Sequence, residues 1–387
     1  SGSQTGFSAI VGNPPFAGKN TIVASNGNSY IPFLVDSFNE SNGKCDLVGF
    51  FFRKAFDLCQ SGGCVGMIAT NTLSQGDTRA ASLRVIAESG GEIYSVRKRL
   101  KWPGTAAVVV SVVHLRKGPA FRREIDGRPV EYISAYLAPS KSNSDPSRLI
   151  QNHGRSFQGS NIDGQGFVFS DTGSASHSIA VMESVFAESP ASRDIVFPYQ
   201  GGEEFNSSPI LRPSRFVIRF GDRELHECEE KWPQLVSLVR ASVLPFRSMR
   251  SDNPQSRRLK MMWWKWHTER PSLYEAVEQN ERVLVNSQVS SHLAFGFQPT
   301  GVVFGVTLNV YSLDSYSAFT TLQSRPHETW ARFFGSSLED RLRYTPSDCF
   351  ETYPFPENWE SRPDLEAVGK EYYEFRADLM VRNDEGL

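Results

Sequence analysis

The chain has 387 residues, of which 39% are hydrophobic and 12% aromatic, so it can bury two cores of ordinary size. No apolar run is long enough to span a bilayer, and five scattered cysteines without a C-x-x-C pair indicate a reducing cytoplasm rather than a disulfide scaffold. With 41 Lys and Arg against 43 Asp and Glu, the formal net charge of −2 excludes a uniformly basic nucleic-acid-binding protein.

The first predicted element is a strand over residues 7–12, which ends directly before Asn13-Pro14-Pro15-Phe16. This tetrapeptide suits the methylation of an exocyclic base amine, a poor nucleophile whose base must leave the helix stack to be reached. The side-chain carbonyl of Asn13 and the backbone carbonyl of Pro14 can each accept one N–H of the amine, which aims its lone pair at a sulfonium methyl. Phe16 would stack on the extruded base. The competing interpretation is an Asx-Pro turn after a strand.

With the first strand, the elements that follow give the order βαβαβ-loop-β. In chain order they are a helix over 30–39, a helix over 46–56 stopped by Gly62-Gly63, a buried parallel strand over 64–69, a polar loop over 70–79 leading into a helix with Asp77 or Thr78 as N-cap, a strand over 92–96, and a β-branched strand over 106–115. Each candidate residue therefore lies in a loop just past a strand end, where open α/β sheets bind ligands.

Four segments resemble motifs IV, V, VI and VIII of the γ-order, amino-methylating DNA methyltransferases that use S-adenosylmethionine. They are Asn13-Pro14-Pro15-Phe16, the 46–56 helix, Gly62-Gly63 with its strand, and Trp102-Pro103 before a hydrophobic strand. The 70–79 loop, Trp263-Trp264 and the 344–356 segment resemble the type IIG and IIL restriction-modification enzymes and related phage-defence methylases. This resemblance implies an α/β fold: a partial Rossmann-like methyltransferase sheet carrying motifs IV to VIII, then a mixed α/β target-recognition domain. It also implies methylation at N6 of adenine in a specific double-stranded DNA site.

The resemblance assigns roles to individual residues of the first domain. Asn13 and Pro14 would hold the amine, Phe16 would stack face-on on the base, and Trp102 would pack against the flipped base from its edge. Asn13, Pro15 and Phe51 would contact the cofactor. Two of these residues have competing interpretations, since Phe51 could belong to the core and Trp102 could plug a sheet edge.

Basic residues are concentrated in two places despite the neutral overall charge. One group lies just before Trp102 and the other surrounds Trp263-Trp264, while acidic residues concentrate at 224–230 and beyond 351. This segregation predicts one cationic face that meets phosphates. The predicted DNA-binding residues are Gln75, Arg79, Lys101, Arg250, Arg257, Arg258, Lys260 and Trp263, with Arg247 in the same basic stretch. The alternative for 247–265 is a solvated loop followed by an aromatic core segment.

Four regions are predicted along the chain. Residues 1–120 form the catalytic half of a methyltransferase domain, 121–194 a connecting region, 195–356 the DNA target-recognition domain and 357–387 a C-terminal helix. In the third and fourth regions, the predicted strands cover 216–220, 282–288, 301–306 and 309–313, and the predicted helices cover 232–240, 315–322, 328–334 and 364–382.

The cofactor site departs from the family pattern. This class builds it from a glycine-rich turn after the first strand and acidic residues after the next two strands. Only twelve residues precede Asn13, and the sequence contains no Phe-x-Gly-x-Gly turn. We therefore expect the C-terminal part of a longer enzyme, with an incomplete S-adenosylmethionine site that the missing N-terminal part completes. An exposed edge of the first strand could also support dimerisation.

Three function classes stay open on the sequence alone. The first is the catalytic and recognition portion of an adenine-N6 DNA methyltransferase, and the second is a DNA-binding specificity module without chemistry. The third is an RNA or protein amine methyltransferase, against which the long C-terminal domain argues. No metal site is predicted, because His226 and Cys228 have no second pair of ligands at suitable spacing.

Overall fold

The structure, a computed structural model, describes residues 6–102, 109–173, 175–338 and 341–387. The chain divides into two compact units. The first unit is Ser1–Ser147 with Arg332–Arg343, and the second is Arg148–Ala331 with Tyr344–Leu387. Within the described ranges, no helix is long and apolar enough to cross a membrane.

The helices confirm most of the predicted helical segments. In chain order they are α1 Lys19–Asn26, α2 Tyr30–Ser37, α3 Leu47–Leu58, α4 Gly76–Arg79, α5 Val85–Glu88, α6 Ile179–Glu188, α7 Gly202–Ser207, α8 Leu225–Lys231, α9 Pro233–Ser248, α10 Pro254–Met261, α11 Pro271–Val277, α12 Tyr316–Gln323, α13 Arg325–Phe334, α14 Pro346–Cys349 and α15 Pro363–Asn383. A π-helical stretch, Ala80–Arg84, joins α4 to α5, so these three pieces form one continuous helix.

The first unit contains a six-stranded mixed sheet. Its strands are β1 Phe7–Gly12, β2 Cys59–Thr70, β3 Gly91–Lys101, β4 Val109–Lys117, β5 Glu124–Ile125 and β6 Arg128–Pro129, in the order β1-β2-β4-β3-β5-β6. The predicted strand over 106–115 corresponds to β4, although residues 103–108 lie outside the described part of the chain. A short hairpin, Ser336–Leu338 with Arg341–Arg343, belongs to the same unit.

The core of this unit lies between α3 and one face of the sheet. The helix buries Val48 and Phe52 completely, at the spacing of one helical turn, against strand residues that include Val65 and Val113. As predicted, β2 runs parallel to β1, but on its other side it pairs antiparallel with β4. These elements confirm the predicted α/β fold.

The expected role of Gly62-Gly63 as the end of a helix is wrong. The helix α3 ends at Leu58 and β2 begins at Cys59, so both glycines lie inside the strand. They occupy a bulge in which Phe7 pairs with Cys59 and Ala9 with Cys64. Gly62 has a φ of +75°, and a Cβ on Gly63 would lie 2.7 Å from the carbonyl oxygen of Phe7. The glycines therefore accommodate the bulge rather than stop the helix.

The expected N-cap of the next helix is also displaced. Helix α4 begins at Gly76, and neither Asp77 nor Thr78 caps it. Asp77 instead accepts a hydrogen bond from the side chain of Asn42 (2.9 Å), and the Thr78 hydroxyl accepts one from the backbone N–H of Asp46 (2.9 Å). Both side chains thus tie α4 to the segment that starts α3.

The second unit contains two four-stranded sheets. Its strands are β7 Ser156–Gln158, β8 Val168–Phe169, β9 Val196–Gln200, β10 Arg215–Ile218, β11 Arg282–Ser287, β12 Val289–Ser290, β13 Phe295–Pro299, β14 Val303–Phe304 and β15 Leu308–Tyr311. The two sheets have the orders β14-β9-β10-β8 and β13-β11-β15-β7. The first packs its apolar side chains with α9 and a tryptophan cluster, and the second packs with α11. The mixed α/β character predicted for this region is confirmed.

Candidate functional site

Three strands of the first unit run in the same direction and bring the candidate residues to one side of its sheet, the side at which these strands have their carboxyl ends. Strand β1 is parallel to β2, and both β2 and β3 are antiparallel to β4, so β1, β2 and β3 all end on that side. Asn13 follows β1, the turn Asn71–Ser74 follows β2, and Trp102 follows β3. Because β4 lies between β2 and β3, the ends of β1 and β3 are three strand spacings apart, which is about 14 Å.

The loop after β1 presents Asn13 outward. Asn13 and Pro15 are exposed, Pro14 is buried, and Phe16 is half-buried with its ring packed against the core beneath the sheet. The side-chain amide of Asn13 is therefore accessible, while its neighbours anchor the loop. Part of the Phe16 side chain is therefore already in contact with the protein interior.

The carboxylate of Asp46 holds this loop in place. Its Oδ1 accepts hydrogen bonds from the backbone N–H of Ala17 (3.2 Å) and of Val48 (3.1 Å), the second of which caps α3. The backbone N–H of Leu47 donates to the carbonyl of Ala17 (2.9 Å), which closes a two-way clamp. Sequence reasoning did not assign Asp46 a role in the site. Its position directly before an apolar helical run was the available signal for an N-cap.

The two candidate aromatic residues Phe51, in α3, and Trp102, after β3, are accessible to different extents. The Phe51 side chain is 41% exposed, whereas its neighbours Phe50 and Phe52 are buried. The core interpretation of Phe51 is therefore wrong, and its ring is available to a ligand. Trp102 is half-buried, directly after the exposed Lys101.

The prediction that Arg79 binds DNA is wrong, because Arg79 lies in the interior of the first unit. Its side chain is 1% exposed, forms an ion pair with Asp145, donates to the carbonyl of Asn143 (2.9 Å) and stacks on the Tyr136 ring with 4.0 Å to the ring centroid. A guanidinium enclosed in this way cannot reach a phosphate. Arg79 instead fixes the 143–145 segment to α4. Gln75, in the same loop, is half-buried.

Trp263 and Arg247 also belong to the interior of their unit. Trp263 is 7% exposed and lies in a cluster with Trp264 and Trp266, so the aromatic-core alternative holds for these residues. The Arg247 guanidinium is fully buried and donates to backbone carbonyls that include those of Ile162 and Lys265 (3.1 and 2.7 Å). Burial lowers the pKa of Arg247 to about 10. These side chains hold the unit together and do not form a cationic face.

The remaining basic residues lie on and beside α10. Arg257 and Arg258 are exposed, whereas Arg250 is half-buried and pairs with Asp163. Arg257 pairs with Asp252 through two contacts of 2.7 and 2.9 Å, and Lys260 donates to the carbonyl of Arg250 (2.8 Å). Arg258 donates to the carbonyl of His267 (2.7 Å), and the ion pair of Arg257 is exposed to solvent, where such a pair contributes little.

Exposed apolar side chains accompany these basic residues, a feature that sequence reasoning missed. Met249 is 82% exposed, Met261 71% and Phe246 44%. Flexible thioethers beside guanidinium groups can adapt to an irregular surface. Residues 246–262 therefore combine positive charge with apolar contact area.

Phe51 and Asn13 are the residues that would hold S-adenosylmethionine in this unit. Phe51 would offer its exposed ring to the adenine, and Asn13 is accessible on its loop. The glycine-rich turn that this class uses for the methionine and ribose portions is absent from the sequence. Elsewhere in the described ranges, no group of three or more His, Cys, Asp or Glu is arranged to hold a metal ion.

Two family descriptions match the chain. Residues 2–89 match the Eco57I restriction-modification methylase, and residues 146–357 match the MmeI target recognition domain. The second match covers more than half of the 387 residues. The chain belongs to the MmeI target recognition domain family. It thus combines a restriction-modification methylase segment with an MmeI-type recognition domain.

A solved structure shows the same fold. The structure of the type IIL restriction-modification enzyme MmeI in complex with DNA is 18% identical, with a TM-score of 0.72 over 96% of this chain and 54% of that one. This chain thus spans about half the length of MmeI. The type ISP enzyme LlaGI bound to a DNA substrate mimic is 10% identical, with a TM-score of 0.41 over 96% of this chain and 42% of that one. The DrdV–DNA complex is 12% identical, with a TM-score of 0.39 over 95% and 44%. The comparison with curated proteins found no match.

Proposed function

We propose that this chain carries the catalytic and target-recognition parts of an enzyme that transfers a methyl group from S-adenosylmethionine to N6 of adenine. The substrate would be a specific site in double-stranded DNA, within a restriction-modification or related defence system. The observation that carries this proposal is the exposed Asn13 amide at the end of β1, held by the Asp46 clamp, in a segment that matches a restriction-modification methylase.

Each residue at the sheet edge has a physical task in this proposal. S-adenosylmethionine, when bound, supplies an electrophilic sulfonium methyl. The Asn13 side-chain oxygen and the Pro14 carbonyl accept the two N–H groups of the target amine, which leaves its lone pair unconjugated and directed away from the loop. Phe16 and Trp102 contact the extruded adenine, and Phe51 packs on the cofactor adenine.

Recognition of the DNA would fall to the second unit and to the end of β3. In this proposal, Arg257 and Arg258 meet phosphates, while Arg250 and Lys260 support them from positions that are partly enclosed. Lys101 and Gln75 would contact DNA near the extruded base. The DNA in the MmeI complex is consistent with this partner.

A binding-only specificity module is the second candidate, and one observation favours it. The 387 residues lack the glycine-rich turn with which this class binds S-adenosylmethionine, so by themselves they would recognise DNA without methylating it. Calorimetry tests whether the cofactor site of this chain is incomplete, which both candidates require. We expect S-adenosylmethionine to bind the 387-residue chain weakly or not at all, and micromolar binding would contradict the incomplete site.

The reaction itself is tested by identifying its product. The chain, and the chain joined to whatever coding sequence precedes it, would be incubated with S-adenosylmethionine and a plasmid library, and the DNA digested to nucleosides for mass spectrometry. We expect N6-methyladenine from double-stranded DNA with the extended protein. N4-methylcytosine, or methylation of RNA or protein instead of DNA, would contradict the proposal. Specific DNA binding without any methylation by the extended protein would favour the binding-only module.

A further inference from the structure

The C-terminal helix α15 presents an apolar stripe to solvent. Val368, Tyr372, Phe375 and Leu379 are 57%, 45%, 64% and 40% exposed. They follow one another at intervals of four, three and four residues, which is the spacing of the a and d positions of a heptad repeat. Isolated apolar side chains are common on surfaces, but four at heptad spacing on one helix form a continuous seam.

The side of α15 next to the stripe already holds the helix on its unit. Arg376 donates to the carbonyl of Phe295 (2.6 Å) and to Gln323 (3.2 Å), and Met380 is buried in the core. A Cβ on Gly369 would overlap the hydroxyl of Thr320, so α15 and α12 approach closely there. Of the stripe residues, Tyr372 also stacks on Phe319 of α12 (6.1 Å between ring centroids), and its remaining surface, like that of Val368, Phe375 and Leu379, faces solvent.

One flank of the stripe is acidic. The spacing places Tyr372 and Leu379 at a and Val368 and Phe375 at d, and the exposed Glu371 and Asp378 lie immediately before the two a positions. Asp364 is exposed on the same flank, seven residues before Glu371, and pairs with Arg362. The other flank contains Gly369 and Arg376, which face the body of the unit. In heptad pairing, side chains at these flanking positions select the partner by charge. A partner helix would therefore lie over the stripe and meet carboxylates along one side.

We infer that α15 is the docking site for an amphipathic helix that carries an apolar a/d stripe flanked by Lys or Arg. A second copy of this chain is a poor occupant for two reasons. An antiparallel pair of α15 helices would place one acidic flank against the other. A parallel pair would place the acidic flank of one helix against the Arg376 flank of the other. The Arg376 guanidinium already donates hydrogen bonds within its own unit and cannot pair with those carboxylates. This inference is independent of the proposed methyl transfer.

Binding of designed peptides tests the charge requirement. A four-heptad peptide with Leu at a and d and Lys at e and g would be labelled, and its fluorescence anisotropy followed as the 387-residue chain is added. A peptide identical except for Glu in place of Lys provides the comparison. We expect the Lys peptide to bind at least about tenfold more tightly than the Glu peptide. Equal binding of both peptides, or binding of neither, would overturn the inference.

The stripe itself is tested by a matched pair of variants. Val368→Ser removes an apolar side chain from the stripe, and Val381→Ser removes one of equal exposure (57% and 58%) from another face of the same helix. We expect Val368→Ser to weaken peptide binding, Val368→Ser with Phe375→Ser to abolish it, and Val381→Ser to leave it unchanged. Circular dichroism would establish that each variant keeps its helix content. Equal losses of peptide affinity in Val368→Ser and Val381→Ser would show that the peptide does not bind the stripe.

Charge reversal on the flank gives an independent readout. Glu371→Lys with Asp378→Lys should invert the preference, so that the Glu peptide binds more tightly. Glu374→Lys, whose carboxylate lies 3.8 Å from Lys370 and outside the flank, should not invert it. Light scattering of the unmodified chain would test the other occupant. A dimer that dissociates in Val368→Ser would overturn the inference in favour of a second copy.

Discussion

Asp46 provides a residue-scale test of how the Asn13 loop is positioned. Asp46→Ala removes the acceptor for the N–H groups of Ala17 and Val48, at a stability cost of about 1 kcal/mol expected for removal of an N-cap. In the complete enzyme we expect a lower methylation kcat with nearly unchanged DNA affinity. Asp46→Asn keeps an oxygen acceptor and should retain most of the activity.

The control for this prediction removes an N-cap elsewhere. Ser178 caps α6 through its hydroxyl, which accepts from the N–H of Val181 (3.4 Å). Ser178→Ala should lower the free energy of unfolding by a comparable amount without changing kcat. If both variants lowered activity equally, Asp46 would have only a general structural role.

The buried His327 makes the stability of the second unit dependent on pH. Its Nδ1–H donates to the carbonyl of Leu322 (2.6 Å) and its Nε2 accepts from the Tyr344 hydroxyl (3.0 Å), so the neutral ring is satisfied. Burial lowers the pKa of His327 from 6.5 to about 4. Between these values the unfolded chain binds a proton that the folded chain does not, so stability falls as pH falls from about 6.5 to 4.

The loss of stability attributable to His327 should reach about 3 kcal/mol at pH 4. Burial lowers the pKa values of His177 and His267 as well, which adds losses of the same sign. Denaturant unfolding at several pH values would measure the total. His327→Gln should flatten the dependence in this window, and an unchanged slope in that variant would contradict the assignment.

Residue positions were predictable from the sequence only where local context determined them. Asn13 was expected in a loop because it directly follows an apolar strand and precedes two prolines, and it is exposed there. The burial of Arg79 follows from partners that are 64 and 66 residues away in Asn143 and Asp145. An arginine in a polar loop therefore has no local signal that distinguishes an enclosed ion pair from a phosphate contact.

At the scale of elements, Gly369 tests the close packing of α15 on α12. Alanine has the higher helix propensity by about 1 kcal/mol, so Gly369→Ala would stabilise an unconstrained helix. Here the added Cβ would overlap the Thr320 hydroxyl and the Tyr316 carbonyl oxygen. We expect a net destabilisation of about 1–3 kcal/mol in denaturant unfolding. A stabilised variant would show that the two helices do not approach this closely.

The surface of α10 offers a second element-scale test. Neutralising Arg257, Arg258 and Lys260 together should weaken DNA binding and reduce its salt dependence, by about 0.9 log unit of slope for each phosphate that the protein no longer neutralises. The control neutralises Lys231, Lys370 and Arg382, which removes the same charge from α8 and α15. Unchanged affinity and slope in the α10 variant, or equal effects in the control, would exclude α10 as the phosphate-binding element.

The helices and strands themselves were largely predictable because hydrophobic spacing determines them. Helix α3 was expected over 46–56 and is observed as Leu47–Leu58, and α15 was expected over 364–382 and is observed as Pro363–Asn383. The bulge at Gly62-Gly63 was not predictable, because a glycine pair is equally compatible with a helix end and with an irregular strand.

At the scale of the whole molecule, the chain divides into two compact units, and two family descriptions match it over residues 2–89 and 146–357. The boundary between the two units lies at residue 147, inside the segment predicted as a connecting region, and Arg332–Arg343 returns to the first unit. Such a return depends on contacts between residues far apart in sequence. Periodicity within a short window carries no information about it.

Strand β1 is an edge strand of the six-stranded sheet in the first unit. The side chains of Phe7 and Val11 on this strand are 58% and 86% exposed. An apolar edge strand of this kind can pair with another strand. Dimerisation through β1 stays a prediction that light scattering of the chain would check, and a strictly monomeric chain at high concentration would contradict it.

Methyl transfer by an Asn13→Ala variant of the complete enzyme is the most direct measurement of the proposed chemistry. The deleted carbonyl acts on the amine in the transition state, so the methylation rate should fall at least about 10²–10³-fold while specific DNA binding persists. Asn20→Ala, which removes an exposed asparagine from α1, should leave the rate unchanged. Methylation of cognate DNA by Asn13→Ala at the wild-type rate would contradict the assignment of this loop as the catalytic site.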